Sequence, residues 1–161
     1  IISLEQNQAS LKLEAMLKSA KFNLQMVDDA DSLVWGKLVI NAAINPLTAL
    51  LQVPNGELLS NSKARKMMGA LAEETAEVAE AEHVHLPFEN PVIAAEDVAR
   101  KTAQNKSSMF QDVLRGAPTE IDAICGAIMK RGQKHGIKTP YNKACWTMVR
   151  ATVSGHAFSM A

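Results

Sequence analysis

The amino-acid sequence predicts a mainly α fold, a helical bundle preceded by a short βα segment. Apolar residues recur at helical spacing through most of the 161 residues, while strand-like alternation is confined to the stretch before Asp31. Glycine and proline signals divide the remainder into pieces of helix length. Such a succession fits packed helices better than a sandwich or an open sheet.

Composition permits this fold and narrows the function. Apolar residues make up 47% and charged residues 21%, the balance of a globular protein and not of a disordered one. Lys and Arg number 17 and Asp and Glu 17, so no net field draws the chain to nucleic acid or an anionic membrane. Cys125 and Cys145 form neither a disulfide framework nor a metal motif, which fits a reducing cytosol. No apolar run reads as long enough to span a bilayer and no signal-peptide pattern is found, so a cytoplasmic protein is expected. The opening Ile1-Ile2-Ser3-Leu4 has no capping or loop logic before it, and the chain is read as truncated.

From Gln8 to Lys21, Leu11, Leu13, Met16, Leu17 and Ala20 recur as on one face of an amphipathic helix. Phe22, Leu24 and Met26 then alternate with Asn23 and Gln25, a strand pattern ended by Asp28-Asp29. Helix then strand reads as the tail of an α/β unit. After Asp31-Ser32, both good caps, a long buried helix is expected from Leu33 to Leu51, kinked or interrupted at Pro46.

Val53-Pro54-Asn55-Gly56 is a turn with Asn55 at the bend, followed by a short helical turn through Leu58. Ser60, Asn61 or Ser62 caps a helix that carries Met67, Met68, Leu71, Val78 and Ala79 and ends near Glu82. Helical periodicity returns at Val92 and runs, with or without a break, to Leu114. Gly116-Ala117-Pro118-Thr119-Glu120 is a stop and a start, with Pro118 or Thr119 near the cap. His135-Gly136 ends that helix, Thr139-Pro140 opens the last one, and the tail from Ser154 reads as frayed.

Lys37, Asn41 and Asn45 stand at i, i+4 and i+8 in an otherwise apolar helix. Each step of four turns the azimuth by roughly 40°, so the three share one side. Unpaired burial costs about 1 to 3 kcal/mol per polar group, so the row either reaches a cleft or finds partners. On spacing alone, a surface Lys37 with backbone-bonded asparagines carries slightly more weight than a polar wall. Ser107-Ser108 and Glu120 likewise fit a solvated turn and a helix start complementing its dipole. His83 and His85 lack further ligands at metal spacing, so no metal is expected. The methionines, Trp35 and Trp146 read as packing residues.

Read together and in order, these segments carry more. Trp35-Gly36-Lys37-Leu38 through Asn41, Asn45-Pro46-Leu47-Thr48-Ala49-Leu50 and Asn55-Gly56-Glu57-Leu58 resemble the opening of the C-terminal domain of the ketopantoate reductase family. Asn105, Ser107-Ser108-Met109, Gln111-Asp112, Thr119-Glu120-Ile121-Asp122, Gly126, His135-Gly136-Ile137, Thr139-Pro140 and Asn142 continue the match. The likeness covers about Asp28 to Val149. It implies a helical bundle of the 6-phosphogluconate dehydrogenase C-terminal-like type at residues 31–161, binding substrate. Residues 1–30 are then a remnant, one helix and one strand, of a Rossmann-type nucleotide-binding domain.

The resemblance implies NADPH-dependent reduction of ketopantoate to pantoate, a step of pantothenate and coenzyme A biosynthesis. Lys37 matches the family's general acid, which protonates the developing oxyanion. Asn41, Asn45, Asn55 and Ser108 match substrate-binding positions, with Ser107 adjacent. Glu120 matches a glutamate near substrate and cofactor. Two departures, Cys125 before Gly126 and Ala117-Pro118 before Thr119, loosen the expectation of substrate identity. No G-x-G-x-x-G occurs, so NADPH is expected to be held mostly by the missing N-terminal domain and the fragment alone to be inactive. The expected partners are a small keto acid and that Rossmann domain, with a homodimer left open and neither nucleic acid nor membrane foreseen. Two alternatives stand beside this: a reductase of another 2-keto acid, and a non-catalytic helical binding or dimerisation module.

Overall fold

The computed structural model describes residues 2–5, 13, 16, 19–21, 24–27 and 29–158, with 2–5, 24–27 and 154–158 as backbone only. Ile2–Glu5 form a strand, and strand residues carry no helix-cap or loop signal. Strand β1 (Ile2–Glu5) pairs in parallel with β2 (Leu24–Val27), Ile2 opposite Leu24 and Glu5 opposite Val27. Parallel neighbours need a crossover of about a dozen residues or more, usually a helix. Leu13, Met16 and Ser19 within that crossover are helical. Ala20 and Lys21 form a turn, Lys21 with φ 62°, so the helix ends before the expected Lys21. The remaining residues of the expected Gln8–Lys21 helix, and Phe22 and Asn23 of the expected strand, lie outside the described residues.

Helix α1 (Ala30–Leu51) is capped by Asp29, whose carboxylate accepts from the Ser32 amide at 2.8 Å. The cap therefore precedes the expected Asp31 and Ser32, which fall in the first turn. Nor does Pro46 interrupt the helix. A proline removes one rung of the hydrogen-bond ladder, but Pro46 is fully buried and packing on several sides holds the turns before and after it. This helix also corrects the reading that no apolar run is long enough for a bilayer, since its 22 residues reach a mean hydropathy of 1.3 over the most apolar window. Of that window 61% is buried inside the domain, which makes it a core helix.

Around α1 lie α3 (Ser62–Ala81), α4 (Pro91–Lys101), α5 (Ser108–Leu114) and α7 (Pro140–Phe158), with the single turn α2 (Glu57–Ser60) at its end. The shared core includes Val39, Met68, Leu71, Val78, Met109, Ile128 and Val149. Polar side chains set the helix starts. Asn61 accepts from Lys63 and Ala64 amides at 3.0 and 3.1 Å, and Asn90 accepts from Ile93 at 3.0 Å ahead of Pro91. Ser107 caps α5 through the Phe110 amide, so the stretch from Val92 to Leu114 is broken into two helices.

Pro118 and Thr119 do not cap the next helix. The chain enters a π-helical turn, Asp122–Gly126, without a side-chain cap and continues as α6 (Ala127–Lys134). Nor does α7 stop at Ser154, for its backbone remains helical to Phe158. Its start is secured from a distance. Glu74, 7% exposed on α3, accepts from the Tyr141 amide at 2.8 Å and from the Asn142 amide and side chain at 2.9 Å each. Cys125 and Cys145 are free and buried, and burial pushes the Cys145 thiol up to about 12, which suppresses thiolate chemistry.

Candidate active site

One edge of α1 carries the polar row. Lys37 is exposed, Asn41 half-buried and Asn45 only 7% exposed, so the row descends from solvent into the domain. Thr48, fully buried, falls within the same sector, for eleven residues return the helix to about 20° from Lys37. The Asn45 side chain makes no hydrogen bond among the described residues, so its donors and acceptor remain available at the deep end of the row.

Thr48 was not foreseen as a site residue, yet it joins the row to α5. Its Oγ1 lies 2.7 Å from Ser107 Oγ, and Ser107 in turn caps α5. Ser108 is the first residue of α5 and is exposed. The bond therefore sets the start of α5 against the Asn45 end of α1. A threonine a turn beyond Asn45 on the same ridge was the available signal, but its partner lay 59 positions away.

Asn55 is held against the same region by its backbone. Its amide donates to the Asn105 carbonyl at 3.0 Å, and the Gly56 amide donates to the Ala103 carbonyl at 3.1 Å. A Cβ at Gly56 would come within 2.9 Å of the Ala103 Cα, so only glycine admits this approach. Asn55 Nδ2 donates to Thr102 Oγ1 at 2.9 Å, while the Thr102 hydroxyl donates to the Val98 carbonyl at 2.7 Å. Asn55 Oδ1 is buried with no donor among the described residues. An acceptor in that state costs about 1 to 3 kcal/mol unless a water or ligand supplies a hydrogen.

Four of the six predicted residues, Lys37, Asn41, Asn45 and Asn55, thus lie along α1 and the turn just after it, and Ser108 joins them through Ser107 and Thr48. Glu120 is not tied to this group. It is exposed, and none of its side-chain atoms bonds another described residue; its carbonyl accepts from Ile124 at 3.0 Å, leading into the π turn that packs on α1. Among the described residues no cluster of three His, Cys, Asp or Glu side chains is placed to share a metal ion.

The family model for the C-terminal domain of ketopantoate reductase, PanE/ApbA type, matches residues 29–153. A 2-dehydropantoate 2-reductase from Pyrobaculum aerophilum is 42% identical over 142 residues, covering 88% of this chain and 50% of that protein. The crystal structure of a PanE/ApbA family ketopantoate reductase from Ralstonia eutropha JMP134 superposes with a TM-score of 0.87 at 31% identity, over 95% of this chain and 51% of that one. D-mandelate dehydrogenase with NADH and anilino(oxo)acetate gives 0.81 at 29%, over 95% and 85%.

A helical bundle wrapped on one apolar helix therefore has the all-α architecture of the C-terminal domain that these matches share. The chain belongs to the ketopantoate reductase family, matching its C-terminal domain. It spans about half the length of the curated relatives it matches.

Proposed function

We propose that the protein carrying this chain is an NADPH-dependent 2-dehydropantoate 2-reductase of the cytoplasm. Residues 31–161 are its substrate-side domain and residues 1–30 the end of a Rossmann-type domain. The parallel pairing of β1 with β2 and the start of the family match at residue 29 support that division. The observation that carries the functional reading is the graded row Lys37-Asn41-Asn45, bonded at its deep end through Thr48 to the cap of the helix that bears Ser108.

A nicotinamide cofactor supplies the hydride in such a reaction. Its pyrophosphate needs a glycine-rich strand-to-helix turn, and no G-x-G-x-x-G is present in these residues. They fit the substrate's side of a site, with Glu120 at most facing a cofactor ribose or the substrate hydroxyl. As the carbonyl carbon gains a hydride, negative charge gathers on its oxygen. Lys37 Nζ donates a hydrogen bond to that oxygen and then its proton, forming the alcohol, and the neutral amine recovers a proton from water at its exposed position. Asn41, Asn45, Asn55 and Ser108 orient the carboxylate and hydroxyl with neutral groups that do not compete for the proton.

In the intact protein, Lys37→Ala is expected to lower kcat for ketopantoate by about a hundredfold or more. Lys37→Arg keeps the charge but cannot release its proton, so it holds KM near the wild-type value while kcat stays low. Unchanged kcat in both variants removes Lys37 from the reaction. Likeness to D-mandelate dehydrogenase favours a second reading, a reductase of another 2-keto acid. A higher kcat/KM for an aromatic keto acid than for ketopantoate selects it.

A further inference from the structure

The π turn, α6, the loop after it and α7 line an open groove of about 860 Å³ that none of the Lys37 row borders. That lies within the roughly 300–1,000 Å³ of small-molecule sites. Met129, Ile137, Pro140 and Trp146 give it apolar walls, and Lys130, Lys138 and Lys143 line it with positive charge. None of the three lysines forms an ion pair among the described residues, although Arg131, Lys134 and Arg150 nearby all do. The one carboxylate in the lining, Asp122, is already engaged. It accepts from Trp146 Nε1 at 2.6 Å and from Arg150 at 3.4 Å.

The Trp146 wall is also fixed in place. Besides the bond to Asp122, its ring lies 4.9 Å from the Arg150 guanidinium, and Gly126 lets the indole approach, since a Cβ there would stand 3.3 Å from Nε1. A rigid apolar wall with unpaired ammonium groups around it complements one chemistry. We propose that this groove binds a small amphipathic anion, an apolar body ending in a carboxylate. A second copy docked by two-fold symmetry would bring both sets of lysines together, which disfavours that occupant.

Sodium laurate below its micellar range, titrated into the intact protein, is the probe, with the Trp146 indole N–H resonance as readout. A saturable shift is expected, weakened about tenfold by joint substitution Lys130→Gln, Lys138→Gln and Lys143→Gln, with dodecyltrimethylammonium producing none. Thermal melting of the variant, unchanged for exposed lysines, separates lost binding from lost folding. Equal shifts with the cationic detergent, equal affinity in the variant, or absence of a saturable shift each overturn the proposal. So does a dimer in sedimentation velocity that Met129→Glu dissolves, which would make the groove an interface between copies. None of these outcomes bears on Lys37 or the reductase reading.

Discussion

Thr48 donates to the backbone of its own helix and accepts from Ser107. Its hydroxyl lies 3.1 and 3.0 Å from the Ile44 and Asn45 carbonyls, which can only accept, so its single hydrogen is committed there. Ser107 Oγ accepts from the Phe110 amide at 3.1 Å, leaving its own hydrogen for Thr48 across the 2.7 Å contact. The polarity of the link between α1 and α5 is thereby set.

Thr48→Val keeps the shape and removes the acceptor. The expected cost is about 1 to 2 kcal/mol in denaturant unfolding, because Ser107 is 7% exposed and cannot turn freely to water. If the start of α5 positions substrate, KM for the keto acid rises more than kcat falls, and Thr48→Ser restores both. Unaltered stability would mean that the link does not tie the helices.

Glu74 holds three N–H groups at the start of α7. Glu74→Gln sets an amide NH2 against at least one of them, and a loss of about 2 kcal/mol is expected. Glu74→Ala leaves all three without that acceptor and should lose more. The ordering Ala below Gln below wild type, read by chemical denaturation, checks the account; equal stability of all three contradicts it.

Glu82 yields a pH dependence. A hydrogen bond from His135 holds its carboxyl below the ordinary 4.5, and Lys134 and Arg131 act in the same direction against partial desolvation. A carboxyl depressed in the folded state adds stability in full above its unfolded value and loses it as pH falls through the lower folded one. Glu82→Gln should therefore be less stable than wild type at neutral pH, with the gap closing in acid below 4.5. A gap of constant size across that range would rule out Glu82 as its source.

What sequence could reveal depended on distance along the chain. A cap among Ser60, Asn61 and Ser62, the end of the long helix at Leu51, the bend at Asn55 and the breaks at Gly116 and His135 are local patterns of capping, periodicity and turn chemistry, and each stands where the pattern put it. The burial gradient from Lys37 to Asn45 was half legible, because spacing gives a shared side but not depth. Pairings between distant residues, Thr48 with Ser107 and Glu74 with Asn142, leave no local trace. That Pro46 leaves the helix unbroken, and that neither Pro118 nor Thr119 caps the next one, has a related reason: packing overrides what one residue prefers.

Because α1 borders nearly every other helix of the domain, no group of helices can detach without baring it. Loosening of the amine and amide row and melting of the whole domain are therefore one cooperative event. Amide hydrogens of Ala42 to Asn45 and of Leu47 to Ala49 should exchange with solvent only through global unfolding. The polar row is as durable as the fold itself, with no softer intermediate in which it is lost first.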